Sequence, residues 1–298
     1  MRIRQIITAA ALGSALVLGA GVAPTHGTPA QGLGTAESRG AAPTASVVQN
    51  RIMSWNSNGQ ENGTPALVAA QIKRFKPQIV LLQESCKGEV DTAVRTLRQQ
   101  GLVYKAYHAD WPDLFTLGCD NGPLQVTHSV LVAEGTTMHG TPGTALYEDR
   151  DWPERRKFTI FQVRLAGMDV YVANTHLSDG GDADLRQDQL NQLMEATRGM
   201  PNMVLAGDLN AQPSYPEMEP LWAYKFADAD PSCTRGKNPQ NSPCQYTQVG
   251  SKKKFDYVMT KGAVHTKRCT LGHVNDDHRV VVSDLTAGAP SGRVCDLV

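Results

Sequence analysis

An excess of one charge is missing from this 298-residue chain, in which 29 Lys and Arg are balanced by 29 Asp and Glu. The balance excludes a strongly basic nucleic-acid coat, so any contact with a polyanion must come from a local groove. Aromatic residues are few, at 6%, and no cluster of Trp and Phe supplies an apolar hairpin for entering a lipid surface. There is no Cys-x-x-Cys, which argues against zinc. No Gly-x-Ser-x-Gly occurs, so the nucleophile elbow of a serine hydrolase is lacking. Repeats and signs of a second domain are lacking too. What is present, 41% hydrophobic and 19% charged residues, is ordinary globular composition and excludes disorder, collagen and coiled coil as descriptions of the whole. A domain of roughly 250 residues buries about three-quarters of its unfolded surface, which allows a large core without metal or disulfide staples.

At the front, Arg2 and Arg4 precede an uncharged stretch from Gln5 to Ala23 that mixes apolar and small residues. It reads as a secretory signal peptide over residues 1–23, with the cut between about 20 and 30. A membrane anchor is the weaker reading, because Thr8, Gly13, Ser14, Gly19 and Gly21 dilute the apolar run. Removing the leader leaves 27 basic against 29 acidic groups, a net charge of −2. Residues 24–46 are rich in Gly, Ala, Pro, Thr and Ser, the composition of a disordered mature N-terminus, and residues 47–298 form one domain. The expected location is extracellular. No cysteine precedes Cys86, so none near the cut can accept a lipid. Six cysteines in an exported chain favour disulfides, with 15 possible connectivities. Pairing of neighbours, Cys86 with Cys119, Cys233 with Cys244 and Cys269 with Cys295, closes the shortest loops and is favoured on that ground. Nothing in the sequence calls for an obligate partner or stable membrane association, and a monomer is expected.

Arg51 to Trp55 predicts a strand, and Thr64-Pro65 an N-cap with proline at the first helical position. Val68, Ile72 and Phe75 mark one buried helical face, which Pro77 keeps from continuing. Ile79 to Leu82 predicts a buried strand ending in polar Gln83-Glu84. Val90, Val94 and Leu97 predict a second helix. Between Gly101 and Arg150 the pattern predicts loops around one strand at Ser129–Ala133. Lys157–Leu165 and Met168–Asn174 predict a hairpin turning at Ala166-Gly167, and Leu190, Leu193, Met194 and Thr197 a polar helix after Asp182. Met203–Ala206, Phe255–Met259 and Arg279–Val282 predict later strands. Helices interleaved with hairpins point to a layered α/β domain with mixed sheets.

Several predicted strands end in a carboxylate, amide or imidazole: Asn56, Glu84, His176, Asp208 with Asn210, and, before a strand, Asp277-His278. Asp256 opens another. Sheet ends are where layered α/β domains bind ligands. Taken singly, each has a bland explanation as a cap, turn or structural residue. Together, the oxygen ligands Glu84, Asp208, Asn210, Asn56 and Asp277 suit a hard cation, Mg²⁺ or Mn²⁺, with Ca²⁺ as a structural ion. Two histidines suit acid and base duties near neutral pH, one oriented by Asp256. A cation for phosphate, a base for water and an acid for the leaving oxygen are the components of phosphoester hydrolysis.

With these residues in view, the chain resembles the endonuclease/exonuclease/phosphatase superfamily, whose familiar shape is that of deoxyribonuclease I. The matching segments are Met53-Ser54-Trp55-Asn56, Ile79 to Glu84, Asn174-Thr175-His176-Leu177, Leu205 to Asn210, Lys254 to Val258 and Asp276-Asp277-His278-Arg279, six in order from about residue 50 to 285. The resemblance implies a four-layer α/β sandwich, two mixed sheets face to face, with the site at one rim. It implies Glu84 as principal metal ligand, with Asn56, Asp208, Asn210 and Asp277 around metal and phosphate. It implies His278, oriented by Asp256, as activator of water, and His176 as stabiliser of phosphate oxygens or acid to the leaving group; which histidine is acid and which base stays open. Arg155 and Arg156 stand where deoxyribonuclease-like members grip phosphate, a task suited to the planar guanidinium. Asn58 is an amide where apurinic-site members carry aspartate, a departure from that branch. The run His176 to Ala183 resembles the cytolethal distending toxin nuclease subunit, a subfamily hint.

The superfamily cleaves DNA, RNA, inositol phosphates and sphingomyelin with one core site, so the motifs fix the reaction better than the substrate. Secretion, the arginine pair and Lys252-Lys253-Lys254 favour a nuclease on DNA, although a lysine triplet is more often a solvated turn. A sphingomyelinase-like phospholipase C is second and a phosphomonoesterase third. An inactive binding protein comes last, because every metal and histidine position is filled.

Overall fold

The computed structural model describes residues 46–59, 64–109, 119, 126–148, 156–273, 277–290 and 292–298. The expected signal peptide, all of the expected disordered stretch except Ser46, and also Arg155 and Asp276, lie outside the described residues. The chain runs β1 (Val48–Asn56), α1 (Pro65–Phe75), β2 (Pro77–Cys86), α2 (Lys87–Gln99), β3 (Tyr104–His108), β4 (Val126–Ala133), β5 (Met138–Leu146), β6 (Lys157–Leu165), β7 (Met168–His176), α3 (Ala183–Ala196) and β8 (Met203–Asp208). It continues through α4 (Glu219–Ala223), β9 (Ala227–Asp228), β10 (Asp256–Lys261), β11 (His265–Gly272), β12 (Val280–Thr286) and β13 (Asp296–Leu297). Seven strands form one sheet in the order β13-β11-β12-β1-β2-β4-β3, and six form the other in the order β5-β6-β7-β8-β10-β9. Both sheets are mixed: β1 and β2 run parallel, as do β7 and β8, among antiparallel neighbours.

Side-chain alternation builds the layers. Ile52, Ile79, Leu81, Val130 and Val132 of the first sheet meet Val163, Val170, Val172, Val204, Ala206 and Val258 of the second in a shared core. The opposite parity, Met53, Trp55, Val80, Leu82 and Leu131, packs under α1 and α2 through Val68, Ile72, Val90 and Leu97. On the far side Ala173, Leu205, Tyr257 and Met259 pack under α3 and α4 through Leu190, Leu193, Met194 and Leu221. Helices, sheet, sheet and helices make the four-layer α/β sandwich that the resemblance implied.

Local signals behave as expected where the chain is packed on one face. Thr64 Oγ1 accepts a hydrogen bond from the Leu67 N–H at 3.3 Å, and α1 ends at Lys76 in a left-handed conformation before Pro77 opens β2. Asp182 Oδ1 caps α3 by accepting from Leu185 N–H at 2.9 Å. Ala166 and Gly167, both at positive φ, turn the β6–β7 hairpin, the geometry a two-residue hairpin requires. The loop expectation for residues 101–150 is corrected: besides β4, this stretch holds β3 and β5. Both are edge strands, and β5 exposes most of its residues, so neither carries the apolar alternation that marks a half-buried strand. The three disulfides join Cys86–Cys119, Cys233–Cys244 and Cys269–Cys295.

Candidate active site

On five strands the inner-facing parity is apolar at one end and polar at the other. β1 reads Ile52, Ser54, Asn56; β2 reads Ile79, Leu81, Gln83; β7 reads Val170, Val172, Asn174, His176; β8 reads Val204, Ala206, Asp208; and β10, running the other way, reads Asp256, Val258. The polar ends gather at one rim. Pairing aligns them laterally, with Lys157 opposite His176, His176 opposite Asp208 and Asp208 opposite Asp256. Beneath the rim, Gln83 Nε2 donates to Asn174 Oδ1 at 2.7 Å and Asn174 Nδ2 to the Leu82 carbonyl at 3.1 Å, tying the sheets together just below the site.

Two backbone features aim the carboxylates. Glu84 has φ +48° at an irregularity in the β2–β4 pairing between Leu82 and Ser85, which turns its side chain toward the rim. Gly207 has φ +142°, and a Cβ there would lie 1.8 Å from the Thr175 carbonyl oxygen. Only glycine lets β8 approach β7 this closely. Asn210, also at positive φ, donates its N–H to Asp208 Oδ1 at 2.9 Å and its Nδ2 to the Leu177 carbonyl at 3.1 Å, with His176 Nε2 also 3.1 Å from that Nδ2.

Asn56 Nδ2 donates to Glu84 Oε1 at 2.9 Å and to Asp208 Oδ2 at 3.0 Å. The same two oxygens each lie 3.6 Å from His176 Nε2. Two carboxylates from different sheets thus converge on one point beside an amide, with Glu84 28% exposed and Asp208 almost fully buried. Oxygen donors open to solvent on one side fit a hard divalent cation that keeps some of its water. Burial, then the neighbouring Asp256, push the Asp208 carboxyl up to about 7, against His278, Asn56 and Asn210, which pull it down. That is the behaviour of a buried acid whose desolvation outweighs its favourable partners. Asp208, Asp256 and His278 also bring one ligating atom each within 4.8 Å of one another, but Asp256 and His278 already bond each other, so Glu84 and Asp208 make the better cation site, held together by the Asn56 NH2, while Asn56 Oδ1 accepts from the Asn58 N–H at 3.1 Å.

The two histidines sit in opposite surroundings. His278 Nδ1 lies 3.0 and 2.9 Å from the two oxygens of fully buried Asp256, while its Nε2 is 3.8 Å from Asp208 and 3.6 Å from Asp277. Burial alone would lower its pKa, but Asp256, Asp208 and Asp277 outweigh it and raise the value to about 10. His176 meets Arg156 instead, whose Nη1 lies 2.7 Å from Nδ1 and 3.1 Å from Nε2. Burial first, and then Arg156, His128 and His278, hold the His176 imidazole neutral, well below the usual histidine range.

All the other described residues expected at the site are found at this rim. Asp277 takes the Asn58 Nδ2 hydrogen bond at 2.9 Å and that of Gln248 Nε2 at 3.4 Å, so Asn58 supports the position of an acid. Arg156 is buried at the start of β6 and pairs with Asp179 at 3.4 Å. The reading of the lysine triplet is corrected at one position: Lys254 is fully buried against Asp228 at 3.3 Å and the Tyr257 ring at 4.8 Å, a structural pair and no phosphate contact. Sequence reasoning missed Thr247, whose Oγ1 accepts from the N–H groups of Phe255 and Asp256 at 3.0 and 2.8 Å. It missed Arg186, which binds Glu217 at 2.8 Å and the Ser178 and Gly180 carbonyls at 3.3 and 2.9 Å, pinning the loop after His176. It also missed His128, which the parity of Val130 and Val132 places on the inner face.

A profile of the Endonuclease/Exonuclease/phosphatase family matches residues 53–284. The chain belongs to this family. Its members hydrolyse phosphoester bonds and depend on a divalent metal. No curated protein matches the chain by sequence. Among solved structures, the endonuclease/exonuclease/phosphatase from Beutenbergia cavernae is similar at 22% identity and TM-score 0.62, over 80% of this chain and 72% of that one. D. rerio TDP2 complexed with single-strand DNA product is similar at 17% identity and TM-score 0.60, over 79% and 98%. The catalytic domain of human Nocturnin with bound sulfate is similar at 16% identity and TM-score 0.59, over 80% and 96%. These likenesses establish the shared fold.

Proposed function

We propose that this protein is a secreted phosphodiesterase that uses Mg²⁺ or Mn²⁺ to hydrolyse DNA, acting as a monomer. The observation that carries this reading is the pair of unlike histidines around the convergence of Glu84, Asn56 and Asp208. The cation supplies charge neutralisation for the phosphate. Asp256 fixes the Nδ1 proton of His278, leaving Nε2 to exchange a proton with water or with the leaving oxygen. Neutral His176 and charged Arg156 offer hydrogen bonds to the phosphate oxygens, stronger in a buried site than in water. Asn210 holds the His176 ring in place.

Export is supported by the leader at residues 1–23 and by three disulfides, which persist in oxidising compartments. DNA is supported by Arg156 beside the site and by the similar TDP2 structure, which carries single-strand DNA product. Action on a lipid surface has little support. Among the described residues, the exposed large hydrophobics are Val48, Val294, Leu297 and Val298. Val48 begins β1, whose other end is Asn56, about 26 Å away at ~3.3 Å per residue.

The test is plasmid nicking with the purified protein, Mg²⁺ with and without chelator, beside His278→Ala. Open-circular DNA that appears only with metal and native His278 is the expected result. A plasmid that stays supercoiled under all metals, with sphingomyelin or an inositol phosphate cleaved instead, would overturn the choice of substrate.

A further inference from the structure

His128 lies at the rim end of β4, on the inner face with Val130 and Val132. It is 4% exposed, and its ring centroid is 6.3 Å from that of His176. Its Nδ1 is shielded from solvent and makes no hydrogen bond among the described residues. A buried imidazole nitrogen left without a partner is costly, and an apolar side chain of the same shape would avoid that cost. Charges nearby define what the ring faces. Burial, followed by Lys157 and Arg156, keeps His128 neutral, well below the usual histidine range. Lys157 is opposite His176 across the β6–β7 pairing and is buried on the same inner face. A neutral imidazole close enough to feel two buried cations, one of them paired with Asp179, has one N–H to give, and the cations favour an anion as its receiver.

Asp208 and Asp256 lie on the other side of His176 in the second sheet, while Glu84 stands on β2, the strand paired with β4. In the second sheet the row across the rim therefore runs from Asp256 through Asp208 and His176 to Lys157, with the His128 ring centred 6.3 Å from that of His176. We propose that His128, with Arg156 and Lys157, forms a second anion subsite that takes the phosphate adjoining the scissile one, and so selects polynucleotides over substrates with a single phosphate. The proposal rests on the phosphodiesterase reading above and adds a determinant of substrate length to it.

The experiment compares kcat and KM for a dinucleotide with one internal phosphate and for the same dinucleotide carrying an added terminal phosphate, in Mg²⁺, for the wild type, His128→Phe and His128→Gln. Phe fills the ring's space without a donor, and Gln restores a donor. The expected result is a preference of the wild type for the second phosphate, expressed in KM. His128→Phe should reduce that preference by about 10- to 100-fold, the measure of one hydrogen bond to a charged group, and His128→Gln should recover some of it. Equal losses on both substrates, or a preference unchanged by Phe, would overturn the subsite. A binding arm separates this from failure of the phosphodiesterase reading. Thymidine 3′,5′-bisphosphate should bind wild type more tightly than thymidine 5′-monophosphate, and His128→Phe should erase the difference. If no phosphodiester is cleaved, the reading of function fails while this comparison still decides the subsite; equal binding of the two nucleotides by the wild type would refute it.

Discussion

The two halves of the site differ in sign. On the side of β8 and β10, His278 stands among Asp256, Asp208 and Asp277 and is held charged up to a pKa of about 10. On the side of β4 and β6, His128 and His176 stand beside Arg156 and are held neutral. All three imidazoles are buried, so burial alone does not distinguish them; the neighbouring charge does. In the function proposed above, identical side chains thereby take different tasks, a proton carrier in one half and neutral hydrogen-bonding groups in the other.

The strongest way to break this contrast is His278→Ala, which removes the proton carrier and is expected to lower turnover by about 10²–10⁴ in a nicking assay at saturating Mg²⁺. Near-normal turnover would take His278 out of the chemistry. On the cationic side, Arg156→Gln removes one charged donor and is expected to cost about 10²–10³ in kcat. The same change should raise the pKa of His176, which ¹H–¹⁵N spectra of the imidazole would show; an unmoved pKa would mean that Arg156 does not set its charge.

Asp208→Asn tests the acidic half in the opposite direction, by trading activity for stability. The folded pKa of Asp208 is about 7 against 3.8 for an ordinary aspartate, so ionising it becomes a cost to the fold as pH rises from 3.8 through 7. In chelator, the Asn variant should therefore melt higher than the wild type above about pH 7, by about 2–4 °C per kcal/mol recovered, and the gain should vanish below about pH 4. A variant that melts lower at pH 8 would show that the ionised carboxylate is well satisfied. The mildest probe is the His278 titration itself. Asp208→Asn removes one of the three carboxylates that raise it, and its midpoint should fall below that of the wild type while staying above 6.5 through Asp256.

The anionic half was almost wholly legible in the sequence, and the cationic half only in His176 and Arg156. Asn56, Glu84, Asp208, Asp256 and His278 each interrupt or adjoin a short apolar run with a polar group, a contrast visible along the chain. His128 follows Thr127 and precedes Ser129, in a stretch whose apolar run begins only at Val130, so it looks like one more polar residue before a strand. The parity of Val130 and Val132, extended two residues back, places it on the inner face. β3 and β5 escaped notice for the reason that edge strands do: one of their neighbours is solvent, and little in their composition has to be apolar. Lys254 misled in the opposite way, since a triplet of lysines looks solvated and the burial of one against Asp228 depends on a residue 26 positions away.

Gly207 adds no chemical group to the site, yet the approach of β8 to β7 that sets Asp208 beside His176 passes through it. In a saturation library the two kinds of necessity would separate. Alternatives at His278 should disappear only when clones are selected for cleavage, because the fold tolerates them. Alternatives at Gly207 should disappear when clones are selected merely for soluble expression, because any side chain meets the Thr175 carbonyl. The least variable position of the motif Leu205 to Asn210 would then be the one with nothing to contribute to the reaction, and variation data alone would rank it above the histidines.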